Sequence, residues 1–152
     1  MKSNNSSEKY MKLALDQAKL AKKMGDLPFG AVIICKDKVV GRGKCENGTI
    51  GDVTDHAEIL ALKMTCKKLK RNELKDCTIY CTNEPCPMCA AALFQAKIPN
   101  IIVGLNRDDL PGFFRPRKIL MKNLADDSGY KISIKSGILK EEILEQFKDI
   151  KK

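Results

Sequence analysis

Between Cys77 and Leu105 the sequence changes its period twice. Cys77 to Thr82 (CTIYCT) is a short apolar run; Cys86 to about Ala96 then places Ala90, Leu93 and Phe94 on one helical face. Asn100 to Leu105 (NIIVGL) is apolar and β-branched again. A strand, a short helix and a second strand are expected to form a right-handed parallel βαβ unit. Such a unit needs a sheet covered on both faces, and this constrains the rest of the chain.

The flanks supply that cover. Lys9 to Lys23 reads as a helix, with Met11, Leu15, Ala18 and Met24 at helical spacing, ended by Gly25-Asp26-Leu27-Pro28. Gly30 to Cys35 (GAVIIC) reads as a buried strand, and Val39 to Gly43 is expected to pair back on it as a hairpin across Lys36-Asp37-Lys38. Lys44 to Asp55 is a polar loop, and Thr54 or Asp55 is expected to cap a helix running from near His56 to about Leu69. Beyond Leu105 come an irregular segment at 106–117, a short helix at 118–124, a strand over Lys131 to Lys135 and a helix over Lys140 to Phe147. The expected fold class is α/β: a three-layer α/β/α arrangement around a central mixed sheet of about five strands. Residues 8–152 are expected to form one domain, preceded by a disordered polar tail at 1–7.

No stretch approaches the ~20 apolar residues that span a bilayer, and the start, MKSNNSSEKY, has no apolar core of a signal peptide. A cytoplasmic location with no membrane partner is the expectation. In that setting the seven cysteines favour metal binding over a disulfide framework. Cys35, Cys66 and Cys77 fall in apolar runs and read as small buried hydrophobes. The net charge of +9 has two readings. The basic runs from Lys63 to Lys75 and around Arg115, Arg117, Lys118 and Lys122 are either a nucleic-acid footprint or solvated faces.

Two motifs carry chemistry: His56-Ala57-Glu58 and, thirty residues on, Pro85-Cys86-Pro87-Met88-Cys89. His56 is the only histidine. Cys86 and Cys89 are i and i+3 on one helix face, so both sulfurs can reach one ion, and a helix start shifts a cysteine toward thiolate. His56 and Glu58 can face one site only if the helix begins close to His56. Three protein ligands leave a tetrahedral zinc one open position, the catalytic arrangement. Cys81 is an alternative fourth ligand that would close the site, although alternation puts Cys77, Ile79 and Cys81 on one core face.

H-x-E followed by P-C-x-x-C resembles the signature of the cytidine deaminase-like superfamily. The segment Gly25 to Val32, Gly41-x-Gly43, Thr54-x-His56-Ala57-Glu58 and Glu84 to Cys89 are similar to the corresponding segments of guanine deaminases and tRNA adenosine deaminases. The resemblance implies one zinc (Zn2+) held by His56, Cys86 and Cys89, Glu58 as the catalytic proton shuttle, and a homodimer. In these relatives an Asn two residues after the second Gly usually contacts the bound base or ribose; that position is Cys45 here, with Asn47 two residues on. Ala57 and Glu84 are expected to lend backbone groups to the base, and Phe29, Phe113 and Phe114 are candidates to stack on it or lid it, or else to pack as core. The favoured reading is a zinc-dependent hydrolytic deaminase of a free nucleobase or nucleoside. The alternative is adenosine-to-inosine deamination of tRNA, motivated by the charge, and a third reading is a non-catalytic, zinc-stabilised RNA-binding module.

Overall fold

All six residues of Gly30–Cys35 are buried, as expected for a strand covered on both faces. In the computed structural model, which describes residues 2–150, this run is β1. β2 (Lys38–Lys44) folds back on it antiparallel, pairing Gly30 with Lys44 and Cys35 with Lys38. On the other side of β1 lies β3 (Cys77–Asn83), also antiparallel, and then β4 (Asn100–Leu105) and β5 (Ser133–Lys135), each parallel to its inner neighbour. The mixed sheet therefore runs β2-β1-β3-β4-β5.

The strand alternation fills two cores. Ala31, Ile33, Ile79 and Val103 point to one face, where they meet α3 (Ala57–Leu69), α4 (Pro87–Gln95) and α5 (Met121–Asp127) through Ala61, Leu93, Met121 and Ala125. Val32, Ile34, Tyr80 and Ile102 point to the other, where α1 (Lys2–Lys23) and α6 (Lys140–Glu145) supply Met11, Ala14, Leu15 and Ile143. No helix among the described residues is long and apolar enough to cross a membrane.

Three expectations are corrected. The tail expected at 1–7 is helical from Lys2, while residue 1 lies outside the described residues. Once Tyr10 and Met11 dock on the sheet, nothing stops the ladder growing backward, because the segment holds no Gly or Pro and propagation costs less than nucleation. The loop at 44–55 contains a turn of helix, α2 (Asn47–Ile50). Its N–H groups at Gly48 and Thr49 donate to Asp26 Oδ1 at 2.9 and 3.1 Å, and the Thr49 hydroxyl donates to Oδ2 at 2.6 Å. A Cβ on Gly48 would sit 2.5 Å from Asp26 Oδ1, so a larger residue there would push the carboxylate away from the N–H groups it accepts. The third correction concerns the cap of α3, which is His56 itself and neither Thr54 nor Asp55.

Candidate active site

The site lies where β3 ends and two helices begin. His56 and Cys86 occupy matching positions: each is the N-cap of its helix, with extended backbone (φ −82°, ψ 154° and φ −67°, ψ 167°). Each carbonyl accepts the first helical bond, from Leu60 at 3.0 Å and Ala90 at 2.8 Å. An extended cap followed by helical residues turns His56 and Glu58 toward one point, which an uninterrupted helix would not do. The position of α3 is set by β2, because a Cβ on Gly43 would overlap the carbonyl oxygen of Ala57. The Gly41-x-Gly43 pattern thus lets a strand lie against the backbone of the helix that carries the site.

His56 Nδ1 stands 3.5 Å from Cys86 Sγ and 3.4 Å from Cys89 Sγ. Tetrahedral zinc, with bonds of ~2.3 Å to sulfur and ~2.0–2.1 Å to nitrogen, separates such atoms by about 3.6 Å. Both nitrogen–sulfur separations therefore match edges of a zinc tetrahedron, and the donors' chemistry, two thiols and an imidazole, suits that ion. Among the described residues this donor group does not include Cys81, so the fourth corner is open. The Cys89 thiol donates to Cys86 and, with His56, holds the Cys86 thiol down to about 4 against burial. Cys89 moves upward because it keeps the shared proton and is buried. Glu58 is 3% exposed, and burial pushes its carboxyl up to about 7.

In front of these groups opens a cavity of about 190 Å³, the room of roughly six waters, suited to one flat ring system. Its lining gathers most of the residues singled out from the sequence: His56, Glu58 and Cys86 with Ala57, Phe29, Phe114, Cys45 and Asn47. The buried Cys45 thiol donates to Asn47 Oδ1 at 3.1 Å, so the two side chains form one bonded stretch of the cavity wall. Burial pushes the Cys45 thiol upward.

Two predicted residues are placed elsewhere. Glu84 donates its N–H to the Leu105 carbonyl at 2.7 Å, and its own carbonyl accepts from Asn83 Nδ2 at 3.3 Å, so neither backbone group faces the base. Its carboxylate instead accepts the N–H groups of Arg107 and Met121, each at 3.2 Å, and positions the segment after β4. Phe113 stacks on Phe114 at 4.7 Å without lining the cavity, because Phe114 stands between them. Conversely, Leu27, Asn83, Arg107 and Arg117 line it, although the sequence does not single them out for the base and marks only Arg117, as part of a basic run. The Arg107 guanidinium lies 5.5 Å over the Phe114 ring and donates to the Arg115 carbonyl at 2.6 and 3.2 Å. The other basic run, Lys63 to Lys75, is an exposed face partly paired through Arg71–Asp76 and Lys75–Glu73.

The MafB19-like deaminase family matches residues 5–147, nearly the whole chain. The chain belongs to that family. It is a hydrolytic deaminase of the cytidine deaminase-like superfamily, which displaces the reading as a non-catalytic RNA-binding module. The deaminase is 33% identical over 142 residues to a tRNA-specific adenosine deaminase of Buchnera aphidicola, covering 93% of this chain and 91% of that one. The corresponding enzyme of Bacillus subtilis is 32% identical over 140 residues, covering 89% and 82%. Among solved structures, a tRNA:A34 deaminase superposes with a TM-score of 0.79 at 29% identity, over 90% of this chain and 97% of the other. A guanine deaminase from Nitrosomonas europaea, at 20% identity and a TM-score of 0.81, covering 93% and 82%, shares the fold.

Proposed function

We propose that this deaminase converts adenosine to inosine within a tRNA, which reverses the preference for a free base or nucleoside that the sequence alone favours. The observation that carries the proposal is the placement of Arg107 and Arg117 on the cavity that Glu58 and the His56, Cys86 and Cys89 group close from below. A cavity with room for one base, lined by two guanidinium groups, suits a base extruded from a polyanion, with its phosphates on the arginines. The similarity to tRNA-specific adenosine deaminases over nine-tenths of both chains supports the same reading.

In this reading His56, Cys86 and Cys89 hold a zinc ion. Bound there, zinc supplies Lewis acidity and a water acidified toward ~7. The remaining work falls to the chain. Glu58 accepts one proton of the attacking water at its carboxylate and delivers it to the ring nitrogen beside the reacting carbon; it then takes the proton of the hydroxyl now on that carbon and gives it to the leaving amine. The balance is one amidine carbon and one water giving a carbonyl and ammonia. A group that must both take and give a proton near neutrality works best with its pKa raised from the ordinary carboxylate range, the direction in which burial moves Glu58. Phe29 and Phe114, which touch each other, form an apolar wall for the base, and the Asn47 and Asn83 amides offer it hydrogen bonds from the cavity wall.

The test is the salt dependence of RNA binding. Affinity for an anticodon stem–loop should fall steeply with salt, and replacing Arg107 and Arg117 by Ala should flatten the slope by about 0.7 for each single-stranded phosphate left without its arginine. An unchanged slope in both variants, with full turnover of free adenosine or guanine, would overturn the RNA reading in favour of a free base.

A further inference from the structure

A second group of thiols stands at the other end of β3, away from the cavity. Cys35, the last residue of β1, and Cys77, the first of β3, are directly opposite each other in the antiparallel register. Both belong to the same core face, so their side chains project to one side of the sheet. Directly opposed Cα atoms lie ~4.5–5.5 Å apart in such a pair, within the 4.4–6.8 Å that a disulfide bridges. Among the described residues, Cys35 and Cys77 Sγ and a carboxylate oxygen of Asp76 all lie within 4.8 Å of one another.

The surroundings suit thiol chemistry. The Cys35 thiol donates to Asp76 Oδ2 at 3.3 Å and the Cys77 thiol to Oδ1 at 3.7 Å, so one carboxylate touches both thiol protons. The Arg71 guanidinium donates to Cys35 Sγ at 3.7 Å and lies 2.8–2.9 Å from the Asp76 oxygens. Burial, then its contact with Cys35, push the Cys77 thiol upward. Cys35 is the less covered of the two sulfurs and the one that the Arg71 guanidinium touches, which makes it the attacking sulfur and Cys77 the resolving one. The pair is nearly covered, 7% and 1% exposed, but the groups above it, Arg71 and Asp76, have side chains 38% and 40% exposed. One side-chain movement opens it to a small oxidant.

We propose that Cys35 and Cys77 form a dithiol modification site that reacts with peroxide to give a disulfide between β1 and β3. The Cys35 sulfur attacks one peroxide oxygen, the O–O bond breaks, and the departing hydroxide takes the Cys35 thiol proton and leaves as water. Cys77 sulfur then attacks the sulfenic sulfur of Cys35, and the displaced hydroxyl leaves as a second water with the Cys77 proton. Two thiols lose two electrons in all and one peroxide gains them. A divalent cation is the other occupant such donors could take. It is disfavoured because the Arg71 guanidinium already engages both Asp76 oxygens and repels a cation.

The experiment uses the whole zinc-loaded protein exposed to hydrogen peroxide, quenched with a maleimide and digested for mass spectrometry. The expected product is a Cys35–Cys77 linked peptide, formed before Cys66 or Cys81 is modified. Thermal unfolding of the oxidised protein should shift upward by about 5–10 °C, because the bridge constrains the unfolded chain, and reductant should reverse the shift. Arg71→Gln, an exposed change that leaves the fold intact, should slow bridge formation several-fold. Recovery of both cysteines as maleimide adducts, or of Cys35 as a sulfinic acid with Cys77 free, would overturn the proposal. So would a second equivalent of zinc that protects both thiols.

Discussion

The deaminase carries two pairs of cysteines at the two ends of β3, and the same side chain behaves differently in each. Cys86 and Cys89 stand at the start of a helix beside His56, where the Cys89 thiol, the imidazole and the helix N–H groups hold the Cys86 thiol down to about 4. Cys35 and Cys77 face each other between strands, where no helix end supplies N–H groups and burial pushes Cys77 up to about 12. One pair is prepared as metal ligands, and the other faces a carboxylate across two strands. Backbone placement decides which: an N-cap with extended dihedrals exposes a sulfur to unpaired N–H groups, whereas a strand position offers it only neighbouring side chains.

Metal content separates the two pairs most sharply. Purified protein should carry about one zinc per chain, the stoichiometry of a three-ligand catalytic site. Cys86→Ala and Cys89→Ala should lose it, while Cys35→Ser and Cys77→Ala should keep it, as read by elemental analysis. Zinc retained by Cys86→Ala, or lost by Cys77→Ala, would break the comparison. Next in size is Glu58→Gln. This variant should keep zinc and fold yet lose turnover by roughly a hundred- to ten-thousand-fold, the range of a positioned proton carrier. Because Glu58 is 3% exposed among thiols, a matching loss of zinc would instead make it a structural group.

Asp26→Ala should act through the loop that carries Cys45 and Asn47. It removes the acceptor of three hydrogen bonds from Gly48 and Thr49 and should cost about 2–3 kcal/mol in urea unfolding, with a larger rise in KM than fall in kcat. The smallest effect belongs to the Arg71–Asp76 pair above the strand thiols. Its hydrogen bond from Arg71 lowers the Asp76 carboxyl from 3.8 to about 2. The stabilisation is therefore complete above about pH 4 and is lost as the pH falls through 2. Both side chains are more than a third exposed, so solvent screening keeps the effect small. Asp76→Asn should differ from the parent protein near neutrality and converge with it between pH 4 and 2 in acid unfolding.

The catalytic end of the molecule is more legible in the sequence than its surroundings. Strands such as Gly30–Cys35 and Asn100–Leu105 are continuous apolar runs bounded by polar residues, and the structure keeps those bounds. The helix starts at His56 and Cys86 are legible because a polar loop precedes one and proline the other. Residues 2–7 read as a tail because their polar side chains carry no period; their helical state comes from propagation off a docked neighbour. Asp26 reads as part of a turn, since nothing local shows that a carboxylate will reach a loop more than twenty residues on. The motif assigns Glu84 to the base, yet Leu105 and Arg107, brought alongside by the parallel pairing of β3 and β4, take up its hydrogen bonds. Arg107 is invisible in the sequence for the same reason: it reaches the cavity only because the segment after β4 folds across the end of the sheet.

Product analysis tests most directly whether the helix-end pair, with His56 and Glu58, deaminates a base presented by RNA. The zinc-loaded protein should convert the adenosine of a tRNA anticodon stem–loop to inosine, with ammonia released in equal amount, and should leave free adenosine, guanine and cytosine essentially unreacted. Release of ammonia from any free base or nucleoside with a kcat/KM equal to or above that of the stem–loop would contradict it.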